Sequence, residues 1–222
     1  VDDDVAGVSV SPITGLAVSE SGTSASFSVV LNTEPSHNVN IPIVSGNTNK
    51  AVVDDNSLRF KPSNWSTPQT VNITGIDNDI DDDDELVTIA LGSANSADSE
   101  YSNMNVDSVE VTVTNDDIAG IEIMPTVGLE TSEAGGTADF TVVLTSEPLQ
   151  NVSVGFESSD ATEGSLSSTN LVFTASNWDS PKTVTVIGQD DDIDDGNKGF
   201  SIITAEASSS DSLYQINPDD IF

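Results

Sequence analysis

The sequence predicts an all-β protein built of two tandem seven-stranded antiparallel β-sandwiches, the second lacking its last strand. Three observations carry this. Apolar residues come in short alternating runs rich in Val, Ile, Thr and Phe, separated by Gly, Pro, Asn, Asp and Ser. No helical period of useful length appears. The chain also matches itself at an offset of 113 residues: between 5–109 and 118–222, 39 of 105 positions are identical, so one fold is written twice. The copies run 1–117, with 1–4 as the tail of a preceding junction, and 118–222.

In the first copy the opening strand covers Gly7–Val18 and is broken near Pro12 and Gly15. The second, Ala25–Leu31, sets Phe27, Val29 and Leu31 on one face, because side chains alternate along a strand. The third is Val39–Val44, where Pro42 lacks an N–H and predicts an edge or bulged strand. Leu58–Phe60 is the fourth, and the fifth, Thr70–Thr74, turns Val71 and Ile73 inward. Leu86–Leu91 is the sixth, and the seventh sets Val109, Val111 and Val113 on one face. Seven short strands divided by turns suggest two packed sheets. The second copy repeats the first six. Aligned without a gap, Phe222 matches Val109, so the seventh strand is expected to be missing and an edge left short of a partner.

Composition narrows the function. Acidic residues number 38 against 5 basic ones, a net charge of −33. That excludes an electrostatic nucleic-acid binder, which needs basic residues to replace counterions on phosphate, and argues against docking on anionic lipid. There is no Cys, hence no disulfide framework or thiolate zinc site, and the single His excludes a multi-histidine centre. No run of 18 apolar residues spans a membrane. No signal-peptide pattern opens the chain, so a piece of a longer, many-copy protein is expected.

The acids are clustered. Asp2–Asp4, Asp77–Glu85, Asp116 with Asp117, Asp190–Asp195 and Asp219 with Asp220 hold 19 of the 38, more patchiness than solubility requires. In an up-and-down sandwich the turns after strands one, three and five share one end with the exit of strand seven. Those segments carry Glu20; Asn47, Asp54 and Asp55; Asp77–Glu85; and Asn115, Asp116 and Asp117. The same parity gathers Glu133, Asp160 and residues 190–195 in the second copy. Two like charges about 4 Å apart repel by about 4 kcal/mol at an effective dielectric of ~20, and no basic residue is expected nearby. A hard divalent cation with oxygen ligands answers this. Calcium takes about 6–8 oxygens from carboxylates, amides, carbonyls and water, whereas magnesium wants fewer protein ligands and a stricter octahedron. The competing account is a solvated, salt-adapted acidic surface. Repetition at one offset and convergence from four segments favour calcium.

These residues resemble the Calx-beta family. The pattern is a Glu in the first turn (Ser19-Glu20-Ser21-Gly22), a short acidic turn before the fourth strand (Ser158-Ser159-Asp160-Ala161-Thr162, with Asn47 at that place in the first copy), the run Asp77–Glu85 after the fifth, and Asn115-Asp116-Asp117-Ile118-Ala119-Gly120 leading into the next unit. The resemblance covers nearly all of both copies. It implies several calcium ions, held in the first copy by Glu20, Asn47, Asp77, Asn78, Asp79, the Ile80 carbonyl, Asp82, Glu85, Asn115, Asp116 and Asp117. In the second it implies Glu133, Asp160, Asp190, Asp191, the Ile193 carbonyl and Asp195. Asn at positions 47, 78 and 115 lowers the ligand charge, and Lys198 stands where the first copy has Glu85, so fewer or weaker ions are expected in the second copy.

The tandem copies also look like repeats of large bacterial surface adhesins, where such modules are calcium-stiffened extracellular spacers. The partners implied are neighbouring repeats of the same chain; no nucleic acid and no membrane insertion are expected, and any adhesion target belongs to other domains. The alternatives are a glycan- or protein-binding adhesion module and a calcium-sensing pair. No enzyme is expected: there is no Gly-x-Ser-x-Gly elbow, His37 stands alone, and the paired acids lie in end loops. Trp65 and Trp178 are expected to pack over the sandwich end rather than stack on a sugar.

Overall fold

A computed structural model describes residues 3–190, 192 and 196–222. Asp191, Ile193 and Asp195, three of the expected ligands, lie outside the described residues. The chain forms two compact units, residues 1–78 with 82–116, and residues 79–81 with 117–222. Among the described residues there is no α-helix, and no helix is long and apolar enough to cross a membrane.

The first unit has ten strands: β1 (Val8–Ser11), β2 (Leu16–Ser19), β3 (Ser24–Leu31), β4 (Val39–Ser45), β5 (Ala51–Val53), β6 (Ser57–Phe60), β7 (Gln69–Gly75), β8 (Glu85–Leu91), β9 (Asn95–Ser96) and β10 (Val109–Thr114). One sheet runs β1-β3-β7-β5; the other runs β2-β10-β8-β4-β6, with β9 also on β4. The break expected near Pro12 and Gly15 is a change of sheet: β1 pairs with β3, while β2 crosses over to pair with β10. The β2–β10 pair is parallel, the exception to an otherwise antiparallel unit. The inward faces are those the alternation predicts, with Phe27, Val29, Leu31, Val71, Ile73, Val109, Val111 and Val113 buried in one core. Trp65 packs half-buried against that core.

Two expectations about the third strand change. Pro42 does not mark an edge: β4 pairs with β6 on one side and with β8 and β9 on the other. The irregularity falls on the facing chain, where the Gly92 N–H donates to the Pro42 carbonyl at 2.9 Å. There a Cβ on Gly92 would meet the Pro42 ring at 2.8 Å. The chain after β4 also makes a strand that was not expected. β5 pairs Val53 with Ile73 and leads the chain back along β7. Asp54 therefore accepts the Asn72 N–H at 2.9 Å and its side-chain amide at 2.6 Å, midway along β7, so Asp54 and Asp55 leave the end that holds Glu20.

The second unit repeats this plan with β11 (Ile121–Met124), β12 (Thr137–Leu144), β13 (Val152–Ser158), β14 (Gly164–Leu166), β15 (Asn170–Phe173), β16 (Lys182–Gly188) and β17 (Ile202–Thr204). Its sheets run β11-β12-β16-β14 and β15-β13-β17, and among the described residues no strand follows β17. The offset is not constant to the end. Ala94 donates to Met104 in the first unit and the matching Ala207 donates to Ile216 in the second, so the offset falls to 112. The turn around Asn103, which adopts φ 58°, is one residue shorter in the second unit. Ile221, not Phe222, therefore takes the place of Val109: both are buried, and Ile221 bridges Ile202 as Val109 pairs with Ile89.

At the end away from Glu20, each unit is tied by a buried tyrosine. The Tyr101 hydroxyl donates to the Thr33 carbonyl at 2.8 Å and accepts the Thr33 N–H at 3.1 Å. Tyr214 binds Ser146 in the same way. Beside each, a carboxylate closes the turn after the second long strand, Asp98 on the Ser36 N–H at 2.7 Å and Asp211 on the Leu149 N–H at 2.8 Å. The Ser36 N–H and then the Glu100 N–H hold the Asp98 carboxyl below its usual range. A lowered folded value means the stabilisation is present above the unfolded value of about 3.9 and is lost as pH falls through the folded one. Asp98→Asn should therefore cost about 1 kcal/mol at pH 7, and in urea unfolding that difference should shrink as pH falls through the folded value.

Candidate metal site

The expected convergence is observed in the first unit, with one participant that was not foreseen. Glu20 follows β2 and is 1% exposed. Its N–H donates to the Thr114 carbonyl at 3.1 Å, which pins the turn to the end of β10. From the segment after β4, the Asn47 side-chain amide donates to Glu85 at 2.9 Å. From the exit of β10, the Asn115 N–H donates to Asp84 at 3.0 Å. Four segments thus meet at one end.

The expectation that no basic residue lies nearby is wrong. The Lys50 ammonium pairs with Glu20 and, at 2.6 Å, with Asp82. The sequence hid it because Lys50 looks like one charge in a polar turn. That turn is anchored, since the N–H groups of Lys50 and Ala51 both donate to the Asn47 carbonyl and the Lys50 carbonyl accepts the Ile76 N–H at 2.8 Å. Burial is the largest influence on Lys50 and lowers its pKa, but the hydrogen bonds and charges of Asp82 and Glu20 together outweigh it and raise the value. The ammonium is charged through neutral pH. Its contribution is full below the ordinary value of about 10.4 and is lost only as pH rises through the raised one.

One lysine does not satisfy this end. Among the described residues, Glu20 Oε2 and Asp82 Oδ1 are buried and have no hydrogen-bond partner. A buried carboxylate oxygen without a donor or cation is costly. The surrounding donors are all oxygens, from Glu20, Asn47, Asp82, Asp84, Glu85 and Asn115, which suits a hard cation rather than a soft one. Among the described residues, however, no three His, Cys, Asp or Glu side chains are grouped closely enough to hold a metal. Asp77 and Asp116 belong to the first unit and are exposed; Asn78 belongs to it and is half-buried. Asp79, Ile80 and Asp117 fall in the second unit instead.

Among the described residues of the second unit, Glu133, Asp160 and Asp190 do not form a group that could hold a metal. Glu133 is exposed, in contrast to the matching Glu20, and Asp190 is exposed as well. Asp160 closes its own turn, accepting from the Thr162 hydroxyl at 2.6 Å and its N–H at 3.0 Å, and these bonds hold its carboxyl below the usual range. The residue at the place of Lys50 is Glu163.

Two-sheet sandwiches in tandem, with acids gathered on turns at one end of the first, define a class of β-sandwich repeats. The Calx-beta domain profile matches residues 2–117 and 124–221, and the chain belongs to that family. Among solved structures it is similar to CBD12 from CALX1.2, at 19% identity and a TM-score of 0.41, covering 93% of this chain and 82% of that one. It is also similar to calcium binding domain CBD12 of CALX1.1, at 20% identity and a TM-score of 0.43, covering 90% and 80%. A third is the apo form of the Calx CBD1 domain, at 22% identity and a TM-score of 0.38, covering 50% and 96%. No curated protein sequence matches the chain.

The buried Lys50–Glu20 pair predicts an asymmetry. Lys50→Met leaves Glu20 charged and buried, and in chelator should lower unfolding stability by about 3 kcal/mol. Glu133→Ala, at an exposed place, should change it by less than about 0.5 kcal/mol. Denaturant unfolding of both variants checks this.

Proposed function

We propose that the chain is a pair of calcium-binding structural repeats, working as an extracellular spacer of a bacterial cell-surface adhesin. The observation that carries the calcium reading is the orphaned pair of buried oxygens, Glu20 Oε2 and Asp82 Oδ1, beside a lysine that neutralises only part of the local charge. Glu20, Asn47, Asp82, Glu85 and Asn115 would hold the ion, with Asp77, Asn78 and Asp116 as further donors from the same unit. Calcium would supply charge neutralisation and a fixed oxygen cage, with no chemistry of bond making. Lys50 would then be the resident cation that an arriving ion competes with or joins.

The spacer reading is supported by the duplication, the net charge of −33 and the short junction, with only six residues between β10 and β11. A spacer needs only the affinity of extracellular modules, roughly 10⁻⁴–10⁻³ M.

Calcium at 100 times its dissociation constant should add about 2.7 kcal/mol to stability, read as a rise in Tm that chelator reverses and magnesium restores poorly. Asp82→Ala or Glu85→Ala should abolish most of that rise, and Asp195→Ala should matter less. An unchanged melting curve in excess chelator would return the acids to solvation. For the spacer, small-angle scattering should report one extended form in millimolar calcium and a broader, more bent ensemble in chelator or in Asp116→Ala/Asp117→Ala. Identical profiles in all three would remove the ion from that role.

A further inference from the structure

The turn between β4 and β5 brings two side-chain donors to the acidic end of the first unit, and both are spent on carboxylates. The Lys50 ammonium bonds Glu20 Oε1 and, at 2.6 Å, Asp82 Oδ2. The Asn47 amide nitrogen donates to Glu85 Oε1 at 2.9 Å, while the Asn47 side-chain oxygen accepts the Asn49 N–H at 3.1 Å. Asn47 therefore turns its donor, not its oxygen, toward the acids. Three carboxylates, from the turn after β2, from the acidic run and from the start of β8, are held by this one turn.

The backbone of the turn is fixed. The N–H groups of Lys50 and Ala51 donate to the Asn47 carbonyl at 3.3 and 3.0 Å, and the Lys50 carbonyl accepts the Ile76 N–H at 2.8 Å. The Ser45 hydroxyl accepts the Asn47 N–H at 3.3 Å and donates to the Ala51 carbonyl at 2.7 Å. The Lys50 side chain is not fixed in this way. Its ammonium sits on a flexible four-carbon stem, and rotation about that stem carries it into water with every backbone bond of the turn intact. The matching turn of the second unit has Asp160 and Glu163 at these two places, whose ionised side chains donate no hydrogen bond.

Lys50 takes one oxygen each from Glu20 and Asp82 and leaves the other, Glu20 Oε2 and Asp82 Oδ1, buried without a partner among the described residues. With the lysine in place, no three described acidic side chains are grouped closely enough to hold a metal. An ammonium and a divalent cation compete for the same oxygens, and two cations that shared them would repel each other. We propose that residues 47–50 form a displaceable clip: Lys50 and Asn47 hold the acids of the first unit in place of a cation, and on calcium binding the Lys50 ammonium swings out to solvent and the Asn47 amide turns its oxygen inward. The proposal rests on the calcium reading and adds that the ion replaces the lysine rather than joining it. The clip keeps the acidic end ordered without the ion, and it lowers calcium affinity, because the bonds of Lys50 must break first.

The test is brief amine acetylation of the full chain well below its Tm, read lysine by lysine by peptide mass spectrometry, together with calorimetric calcium titration of the wild type, Lys50→Met and Lys61→Met. Lys61 is exposed, and its replacement changes the net charge equally. In chelator Lys50 should acetylate about tenfold more slowly than Lys61, because it reacts only when its ion pairs open. In millimolar calcium the two should react alike. Lys50→Met should bind calcium about a hundredfold more tightly than the wild type, because the free energy that the substitution costs in chelator is recovered on binding. Lys61→Met should match the wild type. The proposal is overturned, with the calcium reading intact, if the wild type binds calcium while Lys50 stays protected, or if Lys50→Met binds no more tightly than Lys61→Met. If the wild type binds no calcium, the reading and the proposal fall together.

Discussion

The burial of Glu20 is the constraint on which the acidic end of the first unit depends. A carboxylate 1% exposed must be met by donors or cations, because its ionised form is otherwise unfavourable by several kcal/mol. The backbone brings this about through close approaches rather than long side chains. A Cβ on Gly75 would lie 2.1 Å from the Ser19 carbonyl oxygen, so the end of β7 passes against the end of β2 only because residue 75 is glycine. Gly188 meets Ser132 in the same way at 2.2 Å, so the crossing is a property of the fold and not of one copy. What differs is what lies beyond it: Lys50 reaches Glu20 in the first unit, and Glu133 points to solvent in the second.

In the first unit the Glu20 turn is held by β10. There β10 is the sheet partner of β2 and of β8, the latter along five residue pairs, and its last carbonyl fixes the Glu20 N–H. The second unit has no strand in that place among the described residues. Among the described residues its counterpart of β2 is not a strand, and β17 is three residues long where β8 is seven. In the first unit one strand thus joins two others into a sheet and fixes the acidic turn at its end.

The inward faces of the long strands were legible from alternation alone, because a period of two cannot be misassigned where one face is buried. Convergence of Glu20, Asn47, Glu85 and Asn115 followed from strand parity, which needs only the order of strands. Parity failed at Asp54 because β5 is three residues long and Ala51-Val52-Val53 offers too short an alternation to register as a strand. It failed at Asp160 for a different reason: parity places a residue at an end but does not say whether its side chain faces the cluster or closes its own turn. Lys50 was invisible because one lysine among loop residues carries no pattern. The one-residue shortening after Tyr214 was hidden as well, since only the hydrogen bonds of Ala94 and Ala207 show which residues correspond.

One further comparison does carry a signal that a gapless alignment exposes. At positions 50 and 85 the first copy has Lys and Glu; at the matching 163 and 198 the second has Glu and Lys. The sum of the two charges is zero in both, so the exchange leaves net charge untouched and changes only which loop delivers the cation. In the first unit the lysine comes from the turn after β4 and reaches across to the acidic run. In the second it comes from the acidic run itself, where its charge adds to the Thr162 hydrogen bonds that lower the Asp160 carboxyl. A lone substitution at either position would place a further uncompensated acid or remove an acid among like charges. The paired exchange keeps the sum of the two charges at zero. Each unit thus retains one lysine in the segments that form its acidic end, and the duplication has diverged in the route by which that lysine arrives.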